Sequence, residues 1–249
     1  MDYDKSDIAR NYDEARALTP DRLQQWQDVL SIHIDRRVIS TVVDLGCGTG
    51  RFTELLARHF GAQVIGIDPS RRMMDQARGK PIPGNVVFRQ ASAEALPLQD
   101  GSIDLAFMSQ IYHHLTDPSA VARECSRVLH QGGHACIRNT TRDCEFVYRH
   151  FFPLQPLIDS DLPAREDITS VFVAAGFAAT AHQIVSQLVA SDWPSFVQYS
   201  ALRGDSFLAR LSDEEFDRGM VALRAHTGSI GNDNGVTEEI DWFVFTKRA

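Results

Sequence analysis

The sequence is poor in the features that carry a chain into or through a membrane. No stretch approaches the ~18 consecutive apolar residues of a transmembrane helix. The opening residues, Met1-Asp2-Tyr3-Asp4-Lys5, are polar and acidic where a secretory leader is basic and then apolar, so no leader is expected. Cysteine is scarce too. Cys47, Cys125, Cys136 and Cys144 include no CxxC pair, which predicts free thiols in a cytoplasmic protein and no metal site. Positive charge is in deficit: 25 Lys and Arg stand against 33 Asp and Glu, a formal net charge of −8. Such a balance repels a phosphate backbone at long range, and the densest basic pairs, Arg36-Arg37 and Arg71-Arg72, do not offset it. No nucleic-acid partner is expected. Internal repeats and low-complexity tracts are absent as well.

What is present is enough apolar material to cover a sheet on both faces, 43% of 249 residues. Leu23, Trp26, Val29, Leu30 and Ile34 recur at helical spacing behind Thr19-Pro20 and predict a helix over residues 19–34. Strand-like runs at 40–45, 63–67, 86–88, 103–107 and 134–138 alternate with helical stretches near 50–60, 70–78 and 117–130. The last of these helices is expected to stop at Gly132-Gly133. This alternation means βαβ units, hence an α/β fold with a doubly wound, mainly parallel sheet. Residues 142–165, rich in aromatics and prolines, read as a lid or loop, followed by a helix over 167–175 and a strand over 177–185. Residues 191–226 read as helical, with Ser212 and Glu215 spaced as a capping box. A polar loop at 228–235 precedes a final strand at 240–245.

The strongest local signal is Val42-Val43-Asp44-Leu45-Gly46-Cys47-Gly48-Thr49-Gly50, a strand that ends in an acid and a glycine-rich turn that opens a helix. Glycine lets backbone turn tightly and approach a ligand closely, so a nucleotide-like ligand is expected at the carboxyl ends of the strands. The spacing is not that of a dinucleotide fingerprint, G-x-G-x-x-G: the third glycine comes one position early, and Arg51 stands where the last glycine belongs. Asp44, two residues before the first glycine, suits a cationic amine better than a pyrophosphate. Asp68, ending the second strand, suits ribose hydroxyls and serves NAD equally well.

Asp44-Leu45-Gly46-Cys47-Gly48-Thr49-Gly50 resembles the first motif of class I S-adenosylmethionine-dependent methyltransferases, close to the type 11 group. Five further segments resemble that family in order: Asn11-Tyr12-Asp13 with Arg16, Gly66-Ile67-Asp68-Pro69-Ser70, Ala93 to Leu98 with Asp100 to Asp104, Tyr112-His113-His114-Leu115, and Arg127-Val128-Leu129 with Gly132-Gly133. The resemblance covers about residues 10–138. It implies a Rossmann-like fold, S-adenosylmethionine as cofactor and one methyltransferase domain over 1–249. Within that domain it implies a helical cap at 1–35, a cofactor-binding core at 36–140, substrate-covering lid segments at 141–165 and 191–235, and a final strand at 236–249. It also implies roles. Gly46, Cys47, Gly48 and Gly50 would surround the methionine part, with Asp44 near its amine and Gln110 beside it. Tyr12 and Arg16 would cap its carboxylate. Asp68 would hold the ribose, Ser70 and Met73 would pack by the adenosine, and Ser92, Ala93 and Glu94 would border the adenine. Many members carry an acid at the position of Ser92; a hydroxyl accepts the adenine amine more weakly.

Several residues have plainer readings. Asp44 also fits a strand-end acid serving turn amides, and Asp68-Pro69 fits a helix N-cap. His113 and His114 are the candidate catalytic bases, but each also fits a structural role; His150 is a further candidate in the lid segment. Cys136 and Cys144 suggest binding of a soft element such as arsenic, or simple burial. Asn232-Asp233-Asn234-Gly235 reads more naturally as a turn than as a metal site. The aromatics at 146–152, 193, 196 and 199 fit either a core or a substrate cover. Ser109-Gln110-Ile111-Tyr112 lacks the Asn/Asp-Pro-Pro-aromatic pattern of amino-directed DNA enzymes, and no cysteine follows a proline. The expected activity is in-line methyl transfer to a small-molecule acceptor by a monomer or homodimer. The rivals are a nucleic-acid or protein methyltransferase, a non-catalytic cofactor-binding module and an NAD-dependent oxidoreductase.

Overall fold

Among the residues that the computed structural model describes, 19–205, 207–229 and 235–248, seven strands form one mixed sheet in the order β3-β2-β1-β4-β5-β7-β6. The strands are β1 (Thr41–Leu45), β2 (Gln63–Asp68), β3 (Val86–Gln90), β4 (Ile103–Ser109), β5 (Leu129–Asn139), β6 (Phe177–Ala190) and β7 (Val236–Lys247). Pairing is parallel from β3 through β5, and β7 lies antiparallel to β5 with Asn139 opposite Asp241. The α/β class expected from the alternation is the one observed. The strand order reverses beside β1, which has β2 on one side and β4 on the other. In open sheets of this kind that switch point opens a crevice at the carboxyl ends of the strands.

Three of the helices around the first strands begin on side-chain caps, and the other begins on Gly50 without one. In α1 (Pro20–His33) Thr19 accepts the Arg22 N–H at 3.4 Å, and Trp26, Val29 and Leu30 form the buried face. α2 (Arg51–Phe60) buries Phe52, Leu55, Leu56 and Phe60. In α3 (Arg71–Arg78) Ser70 is the cap and accepts the Met73 N–H at 3.2 Å. The reading of Asp68-Pro69 as this helix's N-cap is therefore corrected by two residues. Asp117 caps α4 (Pro118–Val128), accepting the Ala120 N–H at 2.9 Å.

α4 does not run to the glycine pair. It ends at Val128, and Gly132 and Gly133 lie inside β5. There the register slips, since Ile103 pairs with Leu129 but Leu105 pairs with His134, so the glycines serve a bulge and not a helix stop.

The chain divides into two compact units, one of residues 1–139, 165–183 and 241–249, the other of 140–164 and 184–240. In the first, Val43, Leu45, Ile65, Met108, Val121 and Ile137 belong to a core that also includes Phe172 of α6 (Arg165–Ala174). Trp26, Phe52, Phe107 and Trp242 make a chain of ring contacts, with centroids 5.3 to 6.4 Å apart. In the second, Tyr148, Phe152, Leu154, Ile158, Phe196 and Leu223 are core. The segment read as lid or loop contains a short helix, α5 (Gln155–Asp161). The helical stretch read over 191–226 is two helices, α7 (Trp193–Ala201) and α8 (Asp213–Ser229). They are separated where Arg203 takes a positive φ of 51° and Asp205 accepts the Phe207 N–H at 2.8 Å. The Ser212/Glu215 capping box is present: Ser212 Oγ accepts the Glu215 N–H at 3.2 Å, and Glu215 accepts the Ser212 N–H at 2.9 Å. All four cysteines are free and buried. No helix among the described residues is long and apolar enough to cross a membrane.

Candidate functional site

The carboxyl ends of β1, β2 and β4 bring the chemistry-bearing residues of the first unit to one edge. Asp44, next to last in β1, is 1% exposed, and its Oδ2 accepts the Thr53 hydroxyl at 2.6 Å. Nothing among the described residues donates to Oδ1. Burial pushes this carboxyl up to about 7 against the restraining bond from Thr53, and the negative charge of Asp68 adds to the rise.

The glycine turn is built by sterics. Gly46 has φ +63°, and a Cβ there would collide with the Ile111 side chain. Gly48 has φ +55°, with nothing within 4 Å of where a Cβ would stand, so it faces open space. Its N–H donates to Asp68 Oδ2 at 2.9 Å, while Asp68 Oδ1 accepts the Ser70 N–H at 2.8 Å. In a dinucleotide site the turn's amides face a pyrophosphate. Here one of them is bound to a carboxylate, and a second buried carboxylate stands at the turn's start. The edge is electronegative and fits a ligand that brings cations and hydroxyls. Cys47 packs in the turn with Sγ 3.7 Å from Met74 Sδ; burial, then the charges of Asp44 and Asp68, push its thiol far above the ordinary range. It is a packing residue, not a nucleophile.

Farther along, Met73 and Ala93 are buried. Ser92 Oγ donates to Glu94 and accepts the Glu94 N–H at 3.3 Å, and Glu94 accepts the Thr116 N–H at 3.2 Å. Burial alone would raise the Glu94 carboxyl; these bonds outweigh it and hold it low. Gln110 takes φ +56°, a left-handed conformation costing roughly 1–2 kcal/mol in a non-glycine residue. Its N–H donates to the Arg138 carbonyl at 2.7 Å, so the chain leaves β4 sharply toward the 3-10 turn Tyr112–His114. Asn139, buried at the end of β5, holds that turn by accepting the Tyr112 N–H at 3.2 Å. Tyr112 belongs to the core, and burial, helped by the charge of Asp167, pushes its phenol up to about 12. The His113 and His114 rings lie 4.0 Å apart between centroids. Tyr12 and Arg16 lie outside the described residues, as does the 232–234 stretch.

Sequence reading missed Thr53, Ile111 and Asn139, and also Arg138. The Arg138 guanidinium is buried 4.5 Å from the Trp26 ring centroid and 5.2 Å from that of Phe52, and donates to Ser109 at 3.2 Å. The threonine offered a signal, being the third residue of the helix that the glycine turn opens. The other three depend on which strand ends become neighbours. No group of three or more metal-ligating side chains exists among the described residues.

Comparison with known proteins adds to this geometry. The family model described as "Methyltransferase domain" matches residues 43–137. The ubiquinone biosynthesis O-methyltransferase of Ralstonia nicotianae is 30% identical over 172 residues, 66% of this chain and 71% of that protein. Several other curated relatives are matched over less of their length, 34% of one and 51 to 53% of three others. Among solved structures, the [4+2]-cyclase SpnF has a TM-score of 0.63 at 21% identity, covering 94% of this chain and 84% of that one. The geranyl diphosphate C-methyltransferase of Streptomyces coelicolor, in complex with Mg2+, geranyl diphosphate and S-adenosyl-L-homocysteine, has a TM-score of 0.58 at 18% identity, covering 96% and 84%. These likenesses support the fold; one neighbour being named a cyclase means that fold alone does not decide the reaction.

Proposed function

Since the chain belongs to the class I S-adenosylmethionine-dependent methyltransferases of the type 11 group, we propose that it transfers the methyl of S-adenosylmethionine to a small-molecule acceptor by in-line displacement. The observation that carries the reading is the pair of carboxylates at the glycine turn: buried Asp44, with one oxygen receiving no donor among the described residues, and Asp68, tied to the Gly48 amide. The cofactor, when bound, supplies a methyl already activated by its sulfonium. The chain has to hold, orient and exclude water.

In this reading Asp44 accepts from the cofactor's ammonium, and Gly46, Cys47, Gly48 and Gly50 wrap its methionine part, with Gln110 beside it. Asp68 accepts from the ribose hydroxyls, and Ser70, Met73, Ala93 and Glu94 border the nucleoside. Ser92 acts there through Glu94, because its hydroxyl is already committed to that carboxylate. Tyr12 and Arg16 cap the carboxylate. His113 or His114, on the turn held by Asn139, takes a proton from the acceptor where the chemistry releases one. Acceptor choice is assigned to residues 141–165 and 191–235. A small acceptor agrees with the acidic net charge of −8 and with relatives named for ubiquinone biosynthesis and geranyl diphosphate. Four buried free thiols agree with a cytoplasmic setting.

Calorimetric titration with S-adenosylhomocysteine is expected to show one site, and Asp68→Ala to weaken it ~10-fold or more, since bonds to a charged group are lost. Binding of NAD instead, or unchanged binding in Asp68→Ala, would overturn the cofactor assignment. A screen of acceptors with labelled methyl donor then tests transfer itself.

A further inference from the structure

Asp44 is held at a particular angle by a residue that no ligand need touch. Its side chain and that of Thr53 are both buried, 1% and 0% exposed, and their contact is a 2.6 Å hydrogen bond between the end of β1 and the first turn of α2. A threonine inside a helix commonly turns its hydroxyl back to the carbonyl four residues earlier. Here that carbonyl, on Thr49, receives Lys80 Nζ at 2.8 Å, and the Thr53 hydroxyl points to the strand instead. The bond occupies Oδ2 alone. Oδ1 has no donor among the described residues, although the carboxyl is almost wholly buried. A carboxyl oxygen left open beside a glycine turn is available to a ligand that brings an N–H donor.

We propose that Thr53 is a positioning residue of the cofactor site: by anchoring Oδ2 it fixes Asp44 so that Oδ1 receives the ammonium group of the bound amino-acid moiety. This rests on the cofactor reading above and assigns a division of labour within it. Asp68 serves the nucleoside end, while Thr53 and Asp44 serve the amino-acid end. Two ligands separate the ends. S-adenosylhomocysteine carries both, whereas 5′-methylthioadenosine carries the nucleoside and thioether without the amine.

The test is calorimetric titration of wild type, Thr53→Val, Thr53→Ala and Thr53→Ser with both ligands. Both non-bonding variants are expected to weaken S-adenosylhomocysteine ~10- to 100-fold and to leave methylthioadenosine within about twofold. Thr53→Ser, which keeps the hydroxyl, is expected to restore the first ligand to within about threefold. If Thr53→Val and Thr53→Ala weaken both ligands alike, Thr53 only supports the pocket's shape and the proposal is wrong. It is equally wrong if neither ligand is weakened. A wild-type protein that binds neither ligand would instead remove the cofactor reading itself.

Discussion

Asp44 is a carboxyl group placed where charge is disfavoured, and that has a consequence for stability. Its pKa of about 7 in the fold lies above the ordinary carboxylate value, so between roughly pH 4 and 7 the native protein keeps a proton that the unfolded chain has released. The stability it contributes is complete below the ordinary value and is lost as pH rises through about 7. His59 and His134, held below the usual imidazole value first by burial, act in the opposite sense, so the informative quantity is a difference between proteins. Asp44→Asn removes the titration. Relative to that variant, the wild type is expected to lose about 2 kcal/mol between pH 5.5 and 8, measured by urea unfolding without ligand. A constant difference across this range would show that Asp44 stays ionised. Binding of an ammonium-bearing ligand favours the ionised form, so affinity should rise over the same interval, with proton release below it. At this scale the acid and the glycines were legible, because their spacing is local. Ile111 was not, since it acts on Gly46 only after a second strand end has been packed against the turn; Thr53 left as its sign only its place in the first turn of the helix.

The element that organises the edge is the 3-10 turn Tyr112–His114, tied to β5 by the buried bond in which the Asn139 side chain accepts the Tyr112 N–H. Replacing that side chain by an apolar one of similar size leaves the Tyr112 N–H buried without its acceptor. Asn139→Leu is therefore expected to cost about 1–3 kcal/mol and to speed hydrogen exchange in residues 112–114, while Asn139→Asp keeps the acceptor and much of the protection. Equal exchange in both variants would mean that the turn is held by other contacts. Helices with a cap and a clear apolar stripe, α1 and α3, were legible to within a residue or two. The end of α4 was misread, because Gly132-Gly133 carries the signature of a helix stop while its work is to accommodate a register slip between β4 and β5. α5 gave little signal: seven residues behind Leu154, without a side-chain cap, leave only a proline in the first turn to detect.

Over the whole molecule, charge is the property that acts at a distance. With a net −8, duplex DNA at ~0.15 M salt is expected neither to bind in the micromolar range nor to inhibit uptake of S-adenosylhomocysteine, as gel shift and competition titration would show. A micromolar complex would point to a basic surface that the overall composition conceals. The first unit was readable because motif after motif falls on successive strand ends. The second was not. Residues 140–164 and 184–240 form one cluster only through contacts far apart in sequence, and their aromatics, such as Tyr148, Phe152 and Phe196, serve a core without any spacing that would say so beforehand.

The antiparallel neighbour of β5 is supplied by residues 241–246, which are made long after β5 itself. Until they emerge, the strand that bears Arg138 and Asn139 has an open flank, with amides and carbonyls available to any other extended chain. A polypeptide that lacks residues 241–246 therefore carries a sticky border beside Arg138 and Asn139. Chaperone protection during synthesis, and clumping of C-terminally shortened forms, follow from the position of one late strand.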